Sequence, residues 1–187
     1  MRKTAWIPVV LLAAVFTQGQ DANTFVNRTV GFSVQKPPDW HFMTAEANAE
    51  NLSKARLQDE EFQKMVQKYA TAPLVVMTKY QEPYDGLNPS FKVNVRSLGN
   101  LDGSDPVNIM ALIRGTLQKA FKDYKEIQPP METQVAGLKS GYMKVNYTLE
   151  TSSDQSFPTS SELWIIPRGK YFFMIGVGTN QTADKAE

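Results

Sequence analysis

The chain has 187 residues, with 20 Lys plus Arg against 19 acidic side chains, 42% hydrophobic and 21% charged content, one histidine and no cysteine. Near-zero net charge without a basic block argues against binding a nucleic-acid backbone, and the composition is that of an ordinary compact protein, not a disordered one. The missing cysteines rule out disulfides, thiolate zinc sites, iron–sulfur clusters, a thiol nucleophile and a lipidated-cysteine tether, so stability has to come from packing.

Residues 1–20 have the layout of a secretory signal peptide. Arg2 and Lys3 form a basic start, the run from Ala5 to Phe16 is apolar, and Thr17 and Gly19 offer a small-x-small cleavage site. A run that short does not span a bilayer core of roughly 30 Å, which takes about 20 apolar residues. The expectation is export, cleavage near Gln20 or Asp21, and no membrane anchor afterwards, which puts the mature chain in a periplasm or secreted. Residues 21–187 are then the size of one domain. Four Asn-x-Ser/Thr sequences, at Asn27, Asn51, Asn146 and Asn180, are read as chance matches in a bacterial protein.

After the signal, Thr24 to Asn27 and Phe32 to Gln35 read as two short strands around a turn at Arg28 to Gly31, and Pro37, Pro38 and Asp39 stop further pairing. Leu52, Ala55, Phe62, Val66 and Tyr69 recur at helical spacing, with Glu50–Lys54 and Glu60–Lys64 as supporting pairs, until Pro73. Leu74 to Tyr80 follows as a strand. Phe91 to Leu98 alternates, with Phe91, Val93 and Val95 on a buried face and Lys92, Asn94 and Arg96 on a wetter one. Ser104, Asp105 and Pro106 form a helix start, and Met110, Ile113, Leu117, Phe121 and Tyr124 make its apolar stripe, closed by Pro129 and Pro130. The remainder reads as β: Glu132 to Val135, Gly141 to Glu150, Glu162 to Pro167 and Lys170 to Gly178, with a hairpin at Arg168–Gly169 and a Ser-rich loop over Thr151 to Ser161. The apolar Tyr171 to Val177 run is the expected central strand. Hairpin-length connections favour an α+β fold with a mainly antiparallel sheet and helices on its faces.

The segment Gly31-Phe32-Ser33-Val34-Gln35-Lys36-Pro37-Pro38-Asp39-Trp40 resembles the opening of the PsbP-like family, in which a Gly-Phe strand runs into a proline turn and a tryptophan. The order of helices and strands, the hairpin after Tyr80 and the closing apolar strand are also similar to that family and to the Mog Ran-binding proteins. The resemblance implies an α-β-α sandwich around a central, mainly antiparallel sheet. It also implies binding or assembly work rather than a shared reaction, and a final helix where residues 180–187 stop, so that the expectation is either a truncated chain or a member lacking that helix. It carries no catalytic motif onto this chain.

His41, next to Asp39 and Trp40, is the one residue on which a hydrolase or a metal site would turn, but no Gly-x-Ser-x-Gly elbow accompanies any serine. Gly176 and Gly178 lack the third glycine of a dinucleotide fingerprint, and Gly169-Lys170 lacks the earlier glycine of a P-loop. Glu60 and Glu61 read as a solvated helix face, and the methionines at 65, 77, 110, 143 and 174 as core. The long proline-bounded loop Gln81 to Ser90 is the best recognition surface, presenting Tyr84, Asp85 and Leu87. The reading is an exported, non-catalytic binding or accessory protein of the bacterial envelope, with no cofactor or metal and another envelope protein as partner. A small-ligand carrier is the alternative, recognisable by a pocket in the sheet–helix seam, and a hydrolase using His41 is the third reading.

Overall fold

The computed structural model describes residues 22–58, 63–64 and 72–182. The chain divides into two compact units, up to Gln35 and from Lys36 onward. In the first, β1 (Thr24–Asn27) and β2 (Phe32–Gln35) pair antiparallel, with Phe25 opposite Val34. Their turn is closed by Asn27 Oδ1, which accepts from the amides of Thr29 and Val30 at 3.1 and 3.3 Å, and by Gly31 at φ +65°. A short polar side chain bonding its own backbone, followed by a residue free to take positive φ, is what closes such a loop.

The second unit is an eight-stranded sheet in which every pairing is antiparallel. Its elements are β3 (His41–Phe42), α1 (Ala45–Lys54), β4 (Ala55–Arg56), β5 (Val75–Thr78), β6 (Ser90–Ser97), a 3₁₀ turn (Gly99–Leu101), α2 (Pro106–Ala120), β7 (Lys122–Val135), β8 (Leu138–Thr151), β9 (Ser156–Arg168) and β10 (Tyr171–Asn180). The spatial order is β3-β5-β6-β10-β9-β8, and β8 shares its outer edge between β7 and β4. β10 lies at the centre, as its unbroken apolar run implies. Arg168 pairs with Tyr171 across a turn in which Gly169 sits at φ +60°.

One face of the sheet is packed by α2. Ile109 and Met110 are buried with Leu98, Met143, Val145, Ile165 and Phe172, and Ile113, Leu117, Tyr124 and Tyr147 close around them. The helix starts where an aspartate can cap it: Asp105 Oδ1 accepts from Val107 N at 2.9 Å, and Pro106 occupies the first turn. Asp105 Oδ2 meets Lys139 at 2.7 Å, which fixes the helix start to the β7–β8 hairpin and holds the carboxyl below the usual aspartate range. Gly141 of β8 is the contact point of the two elements. A Cβ there would lie 2.6 Å from Pro106 O.

The α-β-α sandwich implied by the PsbP-like resemblance is not what forms. Strands make up 50% and helices 20% of the structure, so the fold is a β-rich antiparallel sheet. The largest source of the difference is β7. Pro129 and Pro130 lie inside a 14-residue strand instead of closing a helical segment, and Phe121 caps α2 while Tyr124 belongs to β7. Proline is tolerated here because β7 is an edge strand with register shifts on both sides of Gln128, so its missing amide costs no regular ladder bond. The second source is α1. Thr44 caps it, accepting from Ala47 N at 3.2 Å, and Glu50 pairs with Lys54 at 2.7 Å as expected, but the helix ends there. Ala55 and Arg56 turn to pair with Thr151 and Glu150 of β8. Phe62, Val66, Tyr69, Met65 and the Glu60–Lys64 pair rest on positions outside the described residues, as does the signal segment. Among the described residues no helix is long and apolar enough to cross a membrane.

Candidate functional site

β5 and β6 are joined by residues 79–89, and this connector is braced by its own side chains. Asn88 exchanges two hydrogen bonds with the Tyr80 backbone: Tyr80 N donates to Oδ1 at 3.0 Å, and Nδ2 donates to Tyr80 O at 2.8 Å. The Glu82 carboxylate accepts from Asn88 Nδ2 at 3.0 Å, from Tyr84 N at 2.9 Å and from Asn51 Nδ2 of α1 at 3.3 Å. Tyr80 and Tyr84 stack at 4.6 Å with their rings 15° apart. Gly86, at φ +129°, supplies a conformation that side chains rarely adopt. An asparagine and a glutamate each satisfied by several partners make a loop of defined shape, and the Asn51 bond joins that shape to α1.

Between this loop, α1, the Val76 and Lys92 side of the sheet and the tip of the β8–β9 hairpin lies a cavity of about 400 Å³. That is within the usual range for small-molecule sites, roughly 300–1,000 Å³. Val76, Leu52, Leu149 and Phe157 give it apolar walls, while Asn48, Asn51, Asn88, Thr78 and Ser90 add amides and hydroxyls. The hairpin tip is held against α1 by Ser152 N donating to Lys54 O at 2.8 Å and by Arg56 pairing with Asp154 at 3.0 Å.

Tyr84, Asp85 and Leu87, the three residues of the expected recognition loop, all line this cavity. Tyr84 and Asp85 are exposed and Leu87 is half-buried, so the first two stand at the mouth and the third reaches inward. His41 is exposed on the two-residue edge strand β3 and is not part of the described cavity wall.

The sequence gives no hint of Lys92. Its alternation with Val93 places it on a face that reads as wet, yet that face is the one α2 packs, and Lys92, Asn94 and Arg96 are all half-buried. Lys92 is paired in register with Val76 on β5 and with Gly176 on β10, so β10 sets no side chain beside it. Burial pushes its ammonium below the usual lysine range. The Ser-rich segment is also misread by composition: β9 begins at Ser156, and Thr159 and Ser160 are buried. Thr159 satisfies its hydroxyl on Phe157 O at 2.9 Å, and Ser161 bonds the Tyr147 hydroxyl at 3.1 Å.

No family model matches the chain, and no curated protein matches it. Nothing in these comparisons identifies the chain as PsbP-like, and function has to be argued from the cavity.

Proposed function

We propose that this is an exported, non-catalytic binding protein of the cell envelope that takes a small ligand into the cavity beside residues 79–89. The observation that carries the reading is the loop itself. Its Glu82 accepts three hydrogen bonds and its Asn88 locks the Tyr80 backbone, so the cavity wall is built before a ligand arrives. A pre-formed wall avoids the cost of ordering a loop on binding. Apolar walls interrupted by a few amides and hydroxyls suit a molecule with an apolar body and a polar end. Export is supported by the basic, apolar and small-residue layout of residues 1–20.

The test is a fragment screen by amide chemical-shift mapping on the chain beginning at Asp21. Binding fragments are expected to move the Leu87, Lys92, Leu149 and Phe157 amides together. Fragments that bind elsewhere, or no shifts at these four positions across the screen, would refute the reading. The exposed, stacked Tyr80 and Tyr84 favour a second use of the same loop, contact with an envelope protein. In a pull-down from an envelope extract, replacing residues 81–90 is expected to abolish retention of that partner, and unchanged retention would remove this second reading.

A further inference from the structure

Among the described residues, the cavity wall has one half-buried charge that no other group answers. Four charged side chains among the described residues line it: Lys54, Glu82, Asp85 and Lys92. Lys54 is paired with Glu50 at 2.7 Å, Glu82 is held by Asn51, Asn88 and the Tyr84 amide, and Asp85 stands exposed at the mouth. Lys92 differs from all three. It is half-buried between Val76 and Gly176 in the sheet register, and among the described residues its Nζ has no hydrogen-bond or ion-pair partner.

Withdrawing an ammonium from water without an anion beside it is unfavourable, and leaving it uncompensated is worse than either pairing it or replacing it by an apolar group. A strand residue at this place could be apolar at no cost to the ladder, since its neighbours in register are a valine and a glycine. A lysine here is explained if the missing anion comes with the ligand.

We infer that the cavity binds an amphipathic monocarboxylate, its carboxylate on Lys92 Nζ and its apolar body against Val76, Leu149 and Phe157. This inference rests on the cavity being a ligand site. The charge is limited to one because the loop side of the same cavity carries the Glu82 and Asp85 carboxylates, which repel a dianion across a partly dehydrated space. A lysine is a point charge with three rotatable donors, so it suits a single carboxylate and does not demand the planar, two-pronged geometry that an arginine would impose.

Three probes with one chain length separate the possibilities: octanoate, its neutral isostere octanamide, and monooctyl phosphate. Binding is followed by calorimetry and amide shifts on the mature chain, its Lys92→Met and Lys92→Arg variants, with a thermal melt confirming that each variant is folded. Octanoate is expected to bind at least tenfold more tightly than octanamide and than octyl phosphate. Lys92→Met should abolish that preference while octanamide still binds, and Lys92→Arg should keep part of it.

Equal binding of octanoate and octanamide, with shifts at Leu149 and Phe157, would overturn the anion assignment and leave the ligand-cavity reading standing. Absence of any binding by the probes and by the fragment screen would overturn both. Tighter, Lys92-dependent binding of octyl phosphate would overturn the choice of a monoanion. A preference for octanoate that survives in Lys92→Met would show that the charge is read elsewhere.

Discussion

Gly141 and Gly115 make a paired test of how α2 sits on the sheet. A Cβ built on Gly141 meets Pro106 O at 2.6 Å, Pro106 C at 3.0 Å and Val107 N at 3.4 Å, all of them backbone atoms in the first turn of the helix. That turn cannot swing aside, because Asp105 caps it and Lys139 ties Asp105 to the adjoining hairpin. Gly141→Ala must lift the helix start from β8 or displace the strand. Overpacking of this kind costs about 1–3 kcal/mol. For a chain of this size each kcal/mol lowers the midpoint by roughly 2–4 °C, which sets an expected fall of about 2–12 °C.

Gly115 lies in the middle of the same helix, and a Cβ there meets nothing within 4 Å. Gly115→Ala is therefore expected to stabilise by about 0.5–1 kcal/mol, the difference in helical backbone entropy. Urea unfolding followed by circular dichroism gives both values, provided the denaturant slopes match that of the parent. A neutral or stabilising Gly141→Ala would show that α2 does not approach β8 this closely.

Two further substitutions probe unsatisfied polar groups. The Tyr124 hydroxyl is buried beside the α2 core without a hydrogen-bond partner, so Tyr124→Phe should raise stability by up to about 1–3 kcal/mol; a loss of 1 kcal/mol or more in the same unfolding assay would mean that the hydroxyl is satisfied. Lys92 gives a pH signature. Its folded pKa lies below the unfolded value of about 10.4, so between the two the unfolded chain binds more protons and stability rises with pH. Lys92→Met removes the penalty, and the variant should exceed the parent in stability at neutral pH by a margin that shrinks as the pH approaches about 10.4. Tyr124 and Tyr147, pushed up by burial, and Lys122 and Lys139, held up by bonded carboxylates, titrate in the same region, but they are common to both proteins and cancel in the difference. A margin that is flat or grows with pH would contradict the burial of Lys92.

Local chemistry made much of the fold legible. Asn27 and Gly31 close the first hairpin, Asp105 and Pro106 open α2, Gly169 turns β9 into β10, and an unbroken apolar run marks the central strand. In each case the signal lies within a few residues of its effect. Local signals point the wrong way where a distant partner decides the outcome. Ala55 and Arg56 continue a helical pattern, yet β8 offers them an unpaired edge, and Pro129 and Pro130 look like terminators until β7 is known to be an outer strand. The candidate site followed the same division. Proline spacing and aromatic content pointed to Tyr84, Asp85 and Leu87, whereas Lys92 could not be distinguished from a solvated strand residue until α1 and the β8–β9 hairpin tip were placed around it. The sandwich implied by the PsbP-like resemblance failed for a related reason: a short opening segment and an expected order of elements do not specify how many helices cover a sheet whose strands are drawn from residues 41 to 180.

A crystal structure of the chain from Asp21, grown with octanoate, tests the ligand assignment most directly. The carboxylate is expected at hydrogen-bond distance from Lys92 Nζ, with the alkyl chain against Leu149 and Phe157 and the Glu82–Asn88–Asn51 bonds unchanged. Octanoate found outside the cavity, or lying within it with its carboxylate turned away from Lys92 toward solvent, would refute a carboxylate site at Lys92.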